Sequence, residues 1–372
     1  VTTESERLSD TDRFNLDRAI TLARDSDHYT HPNPRVGCVI ATASGEVGVG
    51  VTAPGAGAPH AEVVALQAAG ANARGATAFV TLEPCCHHGR TGPCTDALIE
   101  AGIARVVVAM LDPDPRVKGG GVKALQEAGI ETLIEDREAE VRSINRGFFS
   151  RVERGRPWVR LKMAASIDGR TAMASGESQW ITSAQAREDV QQLRASSDAI
   201  LTGIGTVLAD DPRLTVRVAD RVSTPIRVVA DSALRTPADA ALFDHPGAVL
   251  IVGAAASPNA VALERAGAHV MIAAADESGD RRVDLDALMS ELAAREINEV
   301  HTECGAELAG ALMAAGLIDE VVMYLAPKFL GAAARGVVDL PALTTLADAD
   351  EFEISDIVRI GPDVRMTLLP KR

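Results

Sequence analysis

Long apolar runs are missing from this chain of 372 residues. A membrane-spanning helix needs about 20 consecutive apolar residues, and no run comes near that. Cysteine is sparse and odd in number, five in all. That is too few to staple a chain of this length, and clustered cysteines in such a chain point to metal. Aromatic residues make up only 3%, so platforms for stacking single-stranded bases are scarce. Basic residues are outnumbered, 37 Lys and Arg against 52 Asp and Glu, and the net charge of −15 repels polyanions. No nucleic-acid partner is expected. Residues 1–12 are polar and acidic, without the basic and apolar regions of a secretory leader, and read as a loose terminus. A cytoplasmic protein with no membrane partner is the expectation.

What is present is a globular balance, 47% apolar and 24% charged. Domains of about 150 residues make two the natural number here. In the first half, 14–25, 61–69, 96–101, 122–128 and 138–150 carry helical patterns. Short β-rich runs stand at 36–41, 47–52, 78–82, 105–110 and 130–134, the first two forming a hairpin around Ser44-Gly45. Such alternation predicts a layered α/β domain with a mostly parallel sheet. Residues 151–157 are charged, lack periodicity and contain Gly155 and Pro157, so the boundary falls there, giving domains 1–155 and 156–372. The second half restarts the pattern. Strands are expected at 158–164, 199–202, 226–230, 248–252, 270–273, 300–303 and 321–325, and helices at 184–194, 285–295 and 307–315.

One constellation carries chemistry. His60-Ala61-Glu62 opens a helix after Pro59, Pro84-Cys85 follows a strand, and Cys94 stands just before a second helix. Imidazole and two thiolates are zinc ligands, and three protein ligands plus one water make a catalytic site. A helix start also favours the thiolate form of cysteine. The bound water then has its pKa lowered toward about 7. Glu62, two residues from the histidine, is placed to shuttle protons rather than to ligate. Zinc deaminases share the pattern H-x-E…P-C-x-x-C, here with eight residues between the cysteines. A structural zinc would need a fourth ligand, for which Cys86, His87 and His88 stand nearby, but it has no use for Glu62. Cys38, inside an apolar strand, reads as core.

Together with Asn33-Pro34-Arg35-Val36-Gly37 and the stretch 81–94, this constellation resembles the bifunctional riboflavin-biosynthesis deaminase–reductases. The second half adds Lys162, Ser166-Ile167-Asp168-Gly169-Arg170, Ser178-Gln179-Trp180-Ile181-Thr182, residues 205–212 and Pro327-Lys328, so the resemblance covers nearly the whole chain. It implies a cytidine-deaminase-like α/β/α domain followed by a dihydrofolate-reductase-like α/β domain. It implies zinc and NADPH as cofactors, small phosphoribosyl pyrimidines as substrates and a homo-oligomer. The first reaction would hydrolyse an amino group from 2,5-diamino-6-(5-phosphoribosylamino)pyrimidin-4-one. The second would reduce the ribose of the resulting aminouracil to a ribityl chain.

By the same resemblance His60, Cys85 and Cys94 hold zinc, and Glu62 carries the proton. Asn33, His87 and Arg90 bind the first substrate. Where the family has a histidine before the zinc histidine, this chain has Ala53, in an apolar stretch 53–58, which strips polar groups from the first site. In the second half no G-x-G-x-x-G occurs, so a Rossmann fingerprint is absent. The resemblance puts NADPH on Ala164, Trp180, Thr206, Asp210 and Ser232, and on the turn Gly305, Ala306, Glu307, Leu308, Ala309, Gly310 and Ala311. That turn leads into a helix, whose N-terminus suits phosphate. It puts the substrate on Ser178, Arg194, Leu214, Arg217 and Glu303, with Arg194 and Arg217 as a phosphate clamp. Lys162 and Asp168 would polarise or protonate the sugar carbonyl. Cys304 stands where the family usually has glycine, so a side chain near the cofactor either shifts packing or brings an oxidation-sensitive thiol.

Two other readings fit parts of the pattern. A nucleic-acid base deaminase with an appended domain shares the zinc motif, but the charge and sparse aromatics oppose it. A structural-zinc paralogue that keeps only the reductase would explain Ala53, but leaves Glu62 without a purpose.

Overall fold

The computed structural model describes residues 8–26, 30–218, 224–273 and 282–371. Residues 1–7 of the acidic start lie outside it. Residues 8–12 do not form a loose end: Leu8 is buried, and the first helix begins at Asp10. No described helix is long and apolar enough to cross a membrane. The chain divides into two compact units, Val1–Gly155 and Arg156–Arg372.

In the first unit Ser9 caps α1 (Asp10–Asp25) in a capping box with Asp12, and Leu16, Ala19, Ile20 and Ala23 form its buried stripe. There follow β1 (Gly37–Thr42), β2 (Gly45–Val51), α2 (Ala61–Ala69), β3 (Thr77–Val80), α3 (Cys94–Ala101), β4 (Arg105–Val108), α4 (Gly120–Glu127) and β5 (Glu131–Ile134). Two helices, α5 (Glu138–Ile144) and α6 (Arg146–Arg154), close the unit. The single helix expected over 138–150 breaks at Asn145. Its side-chain oxygen accepts from the Arg35 amide at 2.7 Å and its amide donates to the Arg35 carbonyl at 2.9 Å, so this residue leaves the helical conformation.

The sheet runs β2-β1-β3-β4-β5. Only β3, β4 and β5 are parallel; β1 is antiparallel to both neighbours, so the sheet is less parallel than the alternation predicts. Side chains alternate across a strand, which makes the layers legible. A Cβ on Gly37 would meet Ala19 of α1, whereas Gly48 and Gly50, paired with Ile40 and Cys38, lie under α2. The helices therefore cover opposite faces.

The bare glycine positions let α2 sit against the strand. A Cβ on Gly50 would stand 2.2 Å from the Ala61 carbonyl oxygen, at the helix start that carries His60 and Glu62. Gly50→Ala is expected to push that start away, costing about 1–3 kcal/mol as overpacking does. Melting temperature and zinc retained after dialysis should fall together; a lower melting point with full zinc would show that the helix start does not depend on this contact.

The second unit holds β6 (Trp158–Ser166), β7 (Arg170–Ala172), α7 (Ala184–Ala195), β8 (Ala199–Gly203), α8 (Ile204–Asp210) and β9 (Ile226–Ala230). Next come β10 (Val249–Gly253), α9 (Ala260–Arg265), β11 (Ala268–Ile272), α10 (Leu285–Ala294), β12 (Glu299–Glu303), α11 (Ala306–Ala314) and β13 (Glu320–Ala326). The last strands are β14 (Arg335–Gly336), β15 (Phe352–Ile360) and β16 (Asp363–Pro370). The main sheet has the order β11-β10-β9-β8-β12-β6-β13-β16-β15. It is parallel from β11 to β13, and β16 and β15 add antiparallel at one edge. Odd residues of β6, such as Val159 and Leu161, enter one core. The other face takes α7, through Val190 against Val322, Tyr324 and Ala164.

Candidate active sites

The candidate zinc ligands are presented by two helix starts and by the loop after β3. His60 is the N-cap of α2 and makes no side-chain cap bond, so its ring is free to turn outward. Cys94 is the first residue of α3, and its amide donates to the Cys85 sulfur at 3.4 Å. His60 Nδ1 lies 3.2 Å from Cys94 Sγ and 3.6 Å from Cys85 Sγ. A tetrahedron with Zn–S of about 2.3 Å and Zn–N of about 2.0–2.1 Å has N···S edges of about 3.6 Å, so these residues fit zinc. Hydrogen bonds from Cys94 and then His60 bring the Cys85 thiol well below its usual range, against the effect of burial. The bond to Cys85 holds the proton on Cys94 and raises its thiol. A bound dication displaces that shared proton.

Among the described residues the cluster has three ligands and no fourth. Cys86 turns its sulfur toward the Arg116 carbonyl at 3.8 Å. An open fourth position is the mark of a catalytic zinc and counts against a structural one. Glu62, in the first turn of α2, is buried. Burial and the neighbouring Cys85 thiolate push its carboxyl up to about 7, the range of a working general base. Behind the cluster Glu83 is buried and accepts amides of Asp112, Gly119 and Val122 at 2.9–3.2 Å, which clamps the 112–122 loop to the cysteine turn. The motif reading did not give Glu83 a task.

His87 has a buried Nδ1 without a hydrogen-bond partner among the described residues, an atom suited to meet a ligand. Arg90 is exposed, and a Cβ on Gly57 would touch its Cβ at 3.5 Å, so the 53–58 loop lies against the 87–94 loop. Ala53 is half-buried there, its amide donating to the Pro59 carbonyl at 3.0 Å. Asn33 is half-buried in the turn before β1, where its amide donates to the Thr30 carbonyl at 3.0 Å.

The second unit contains a cavity of about 1560 Å³. Pockets for one small molecule are about 300–1,000 Å³, so this one has room for a dinucleotide and a substrate. Ala164, Trp180, Thr206, Asp210, Ser232, Gly305, Ala306, Glu307, Leu308 and Ala311 line it, as do Ser178, Arg194, Leu214, Arg217, Glu303 and Lys162. Two expected cofactor residues do not. Ala309 is buried in the core, and a Cβ on Gly310 would fall 1.7 Å from the Asp339 carbonyl oxygen. A helix turns about 100° per residue, so part of any consecutive run must face away. The start of α11 has no side-chain cap, and Arg235 and Arg282 also line the cavity, which fits the phosphates of NADPH.

Asp168 is a second correction. It is not on the cavity wall. Its carboxylate accepts from Ser166 Oγ at 2.5 Å and from the amides of Leu330 and Gly331 at 3.1 and 2.8 Å. The Ser166 bond, followed by those amides, holds its carboxyl at about 2, so it is ionised and donates no proton near neutral pH. Arg194 is a third. Its Nε and Nη2 donate to Glu303 at 2.5 and 2.9 Å and its Nη1 to the Thr215 carbonyl at 2.8 Å. Three of five N–H donors are committed, leaving two for a phosphate. At Cys304 burial and the Glu303 charge push the thiol up to about 12, so of the two expected effects packing is favoured over oxidation.

Sequence reading passed over Arg187 and Gln191. With Arg194 they recur at helical spacing along α7, a signal that was available. The Arg187 guanidinium lies 4.2 Å over the Trp180 ring, and Gln191 Oε1 accepts the Arg217 amide at 2.9 Å.

A three-ligand zinc cluster with a buried glutamate, followed by a large cofactor-sized cavity on a parallel sheet, defines a deaminase joined to a reductase. The profile "Cytidine and deoxycytidylate deaminase zinc-binding region" matches residues 9–110, and "RibD C-terminal domain" matches 157–366. The riboflavin biosynthesis protein RibD of Escherichia coli is 47% identical over 370 residues, covering 96% of this chain and 99% of that one. Its counterpart from Haemophilus influenzae is 44% identical, covering 96% of each chain. Among solved structures, Acinetobacter baumannii RibD (form 1) superposes with a TM-score of 0.89 at 41% identity, covering 97% of this chain and 99% of that one. The chain belongs to the RibD family. It is a bifunctional riboflavin-biosynthesis enzyme, with a cytidine-deaminase-like zinc-binding N-terminal domain and a C-terminal reductase domain of the NADPH-dependent type.

Proposed function

We propose that residues 1–155 deaminate 2,5-diamino-6-(5-phosphoribosylamino)pyrimidin-4-one and that residues 156–372 reduce the ribose of the aminouracil product. The observation that carries this reading is the open three-ligand cluster beside Glu62, in one chain with the Lys162 cavity. His60, Cys85 and Cys94 would hold zinc, which would supply a Lewis acid that acidifies a bound water. Glu62 takes a proton from the attacking water, gives it to the ring nitrogen and then carries one to the departing amine. Asn33, His87 and Arg90 hold the pyrimidine ribotide.

In the second domain the α11 start, Ala164, Trp180, Thr206, Asp210 and Ser232 would hold NADPH, which would supply the hydride. Lys162 polarises the sugar carbonyl and gives the proton to its oxygen as the hydride arrives. Burial pushes its ammonium below the usual lysine range, which makes it a readier donor. Glu303 and Arg194 form a fixed pair on the substrate side, with Ser178 and Leu214. Arg217, exposed at the cavity wall, is the main phosphate arm, assisted by the two free donors of Arg194. Asp168 holds the loop at 330–331 and has no part in proton transfer. The same reading includes a cytoplasmic, homo-oligomeric protein acting on small molecules, carried by the family resemblance.

The test is ammonia release from the diaminopyrimidine ribotide by zinc-loaded protein without NADPH, followed by NADPH oxidation on the product. Both are expected. Absence of ammonia, with zinc bound and reduction of the aminouracil intact, would mean that the Ala53 loop no longer supports the first substrate.

A further inference from the structure

A buried histidine beside the reductase site has no task in the mechanism above. His301 and Glu303 are two residues apart on β12, so both side chains leave the same face of the sheet. Across the parallel ladder to β6, His301 is in register with Arg160 and Glu303 with Lys162. The His301 ring is fully buried, and its Nε2 stands 3.1 Å from Glu303 Oε1. Its Nδ1 has no hydrogen-bond partner among the described residues. Glu303 lines the cavity, and His301 does not.

Charge counting sets the state of this ring. The Arg160 guanidinium is already matched by Glu320 at 2.7 Å and Glu299 at 3.2 Å, with Ser197 Oγ at 3.2 Å. Glu303 already carries the Arg194 fork and lies in the field of Lys162. A protonated His301 would be a third cation about one carboxylate, buried and without a counter-charge, which is costly. The neutral ring has two forms. With the proton on Nδ1, that N–H would be orphaned and the Nε2 lone pair would face the carboxylate. With the proton on Nε2, the ring donates to Glu303 and leaves only a bare lone pair unpartnered, the cheaper arrangement.

We infer that His301 is a positioning residue of the reductase: as the neutral Nε2–H form it pins Glu303 Oε1 from the side away from the cavity. Arg194 forks onto the same carboxylate, its Nε on Oε1, which is shared with His301, and its Nη2 on Oε2. With both, the glutamate has one orientation, and the Glu303–Arg194 pair meets the sugar phosphate in a single geometry. Without His301 the carboxylate can rotate about its last two bonds with the arginine following. The inference rests on the substrate-side role of Glu303 and Arg194 proposed above.

The test compares His301→Leu, which removes the donor at similar volume, with His301→Gln, whose amide restores one at a similar reach. For His301→Leu, kcat/KM with the aminouracil ribotide should fall about 10- to 100-fold, the loss of one hydrogen bond to a charged group. The fall should lie in KM for the ribotide, with KM for NADPH unchanged, and His301→Gln should recover most of it. Equal activity of His301→Leu and the parent chain overturns the inference, as does an equal loss in both variants or a matching rise in KM for NADPH. If His301→Leu does not fold, ring ¹⁵N shifts of the parent protein decide. A bare Nδ1 with a protonated Nε2 supports the inference, and an imidazolium or an Nδ1–H ring overturns it. A parent chain that does not reduce the ribotide at all would instead sink the assignment of the reductase site, and the ¹⁵N shifts would still report the His301–Glu303 bond.

Discussion

Glu62→Gln is expected to cut ammonia release by about 10²–10⁴-fold, the usual worth of a positioned general base, with zinc still bound in full. The substitution keeps size and leaves His60, Cys85 and Cys94 untouched. Glutamine can hydrogen-bond the water but cannot take its proton. The parent enzyme should lose deaminase kcat/KM as pH falls, because Glu62 must be ionised to act. Burial and the Cys85 thiolate push Glu62 up to about 7. A bound dication stabilises the carboxylate and draws that acid limb to lower pH. Oxidation of NADPH on the aminouracil should be unchanged. Zinc content and ammonia release, measured on one preparation, separate the possibilities. Loss of zinc would make Glu62 a structural residue, and retained turnover would remove it from proton transfer.

The second large effect is expected from Lys162→Met. Lys162, half-buried on the cavity wall, stands in register with Glu303, and desolvation lowers its ammonium from the usual lysine range. Methionine keeps most of the length and volume and removes both the charge and the proton. Reduction of the ribotide should fall about 10²–10⁴-fold. NADPH affinity, read by fluorescence titration, should change little, and ammonia release should not change. A fall below tenfold would mean that the carbonyl is polarised by another group. Asp168→Asn is the informative contrast: its carboxylate accepts from the Leu330 and Gly331 amides away from the cavity, so the variant should act on stability more than on turnover.

How far these sites could be read in the sequence depended on how local their chemistry is. The candidate zinc cluster was legible because its residues mark themselves by type and two of the three by a helix start. His60 and Glu62 open α2, and Cys94 opens α3. The parallel strands of the main sheet were legible, β8 and β10 most plainly, because burial on both faces leaves continuous apolar runs, whereas the short β7 was not expected. The β15–β16 hairpin was not. Most of β15 is exposed, so it lacks the alternation that a half-buried strand writes into a sequence, and backbone pairing holds it. Asp168 was misread for a related reason. Its residue type suits an acid, but only the approach of 330–331 shows that the carboxylate is already engaged.

By itself the sequence pointed to the candidate ligands, to the glutamate beside them and to a division near Gly155, since these follow from residue identity and short-range spacing. Tertiary structure alone decided which charges meet. Arg194 and Glu303 are 109 residues apart, and it is the parallel register of β12 with β6, with α7 laid across them, that joins arginine, glutamate, lysine and histidine. A one-residue shift in that ladder would turn Glu303 and His301 to the opposite face, and no local pattern of residues encodes that pairing.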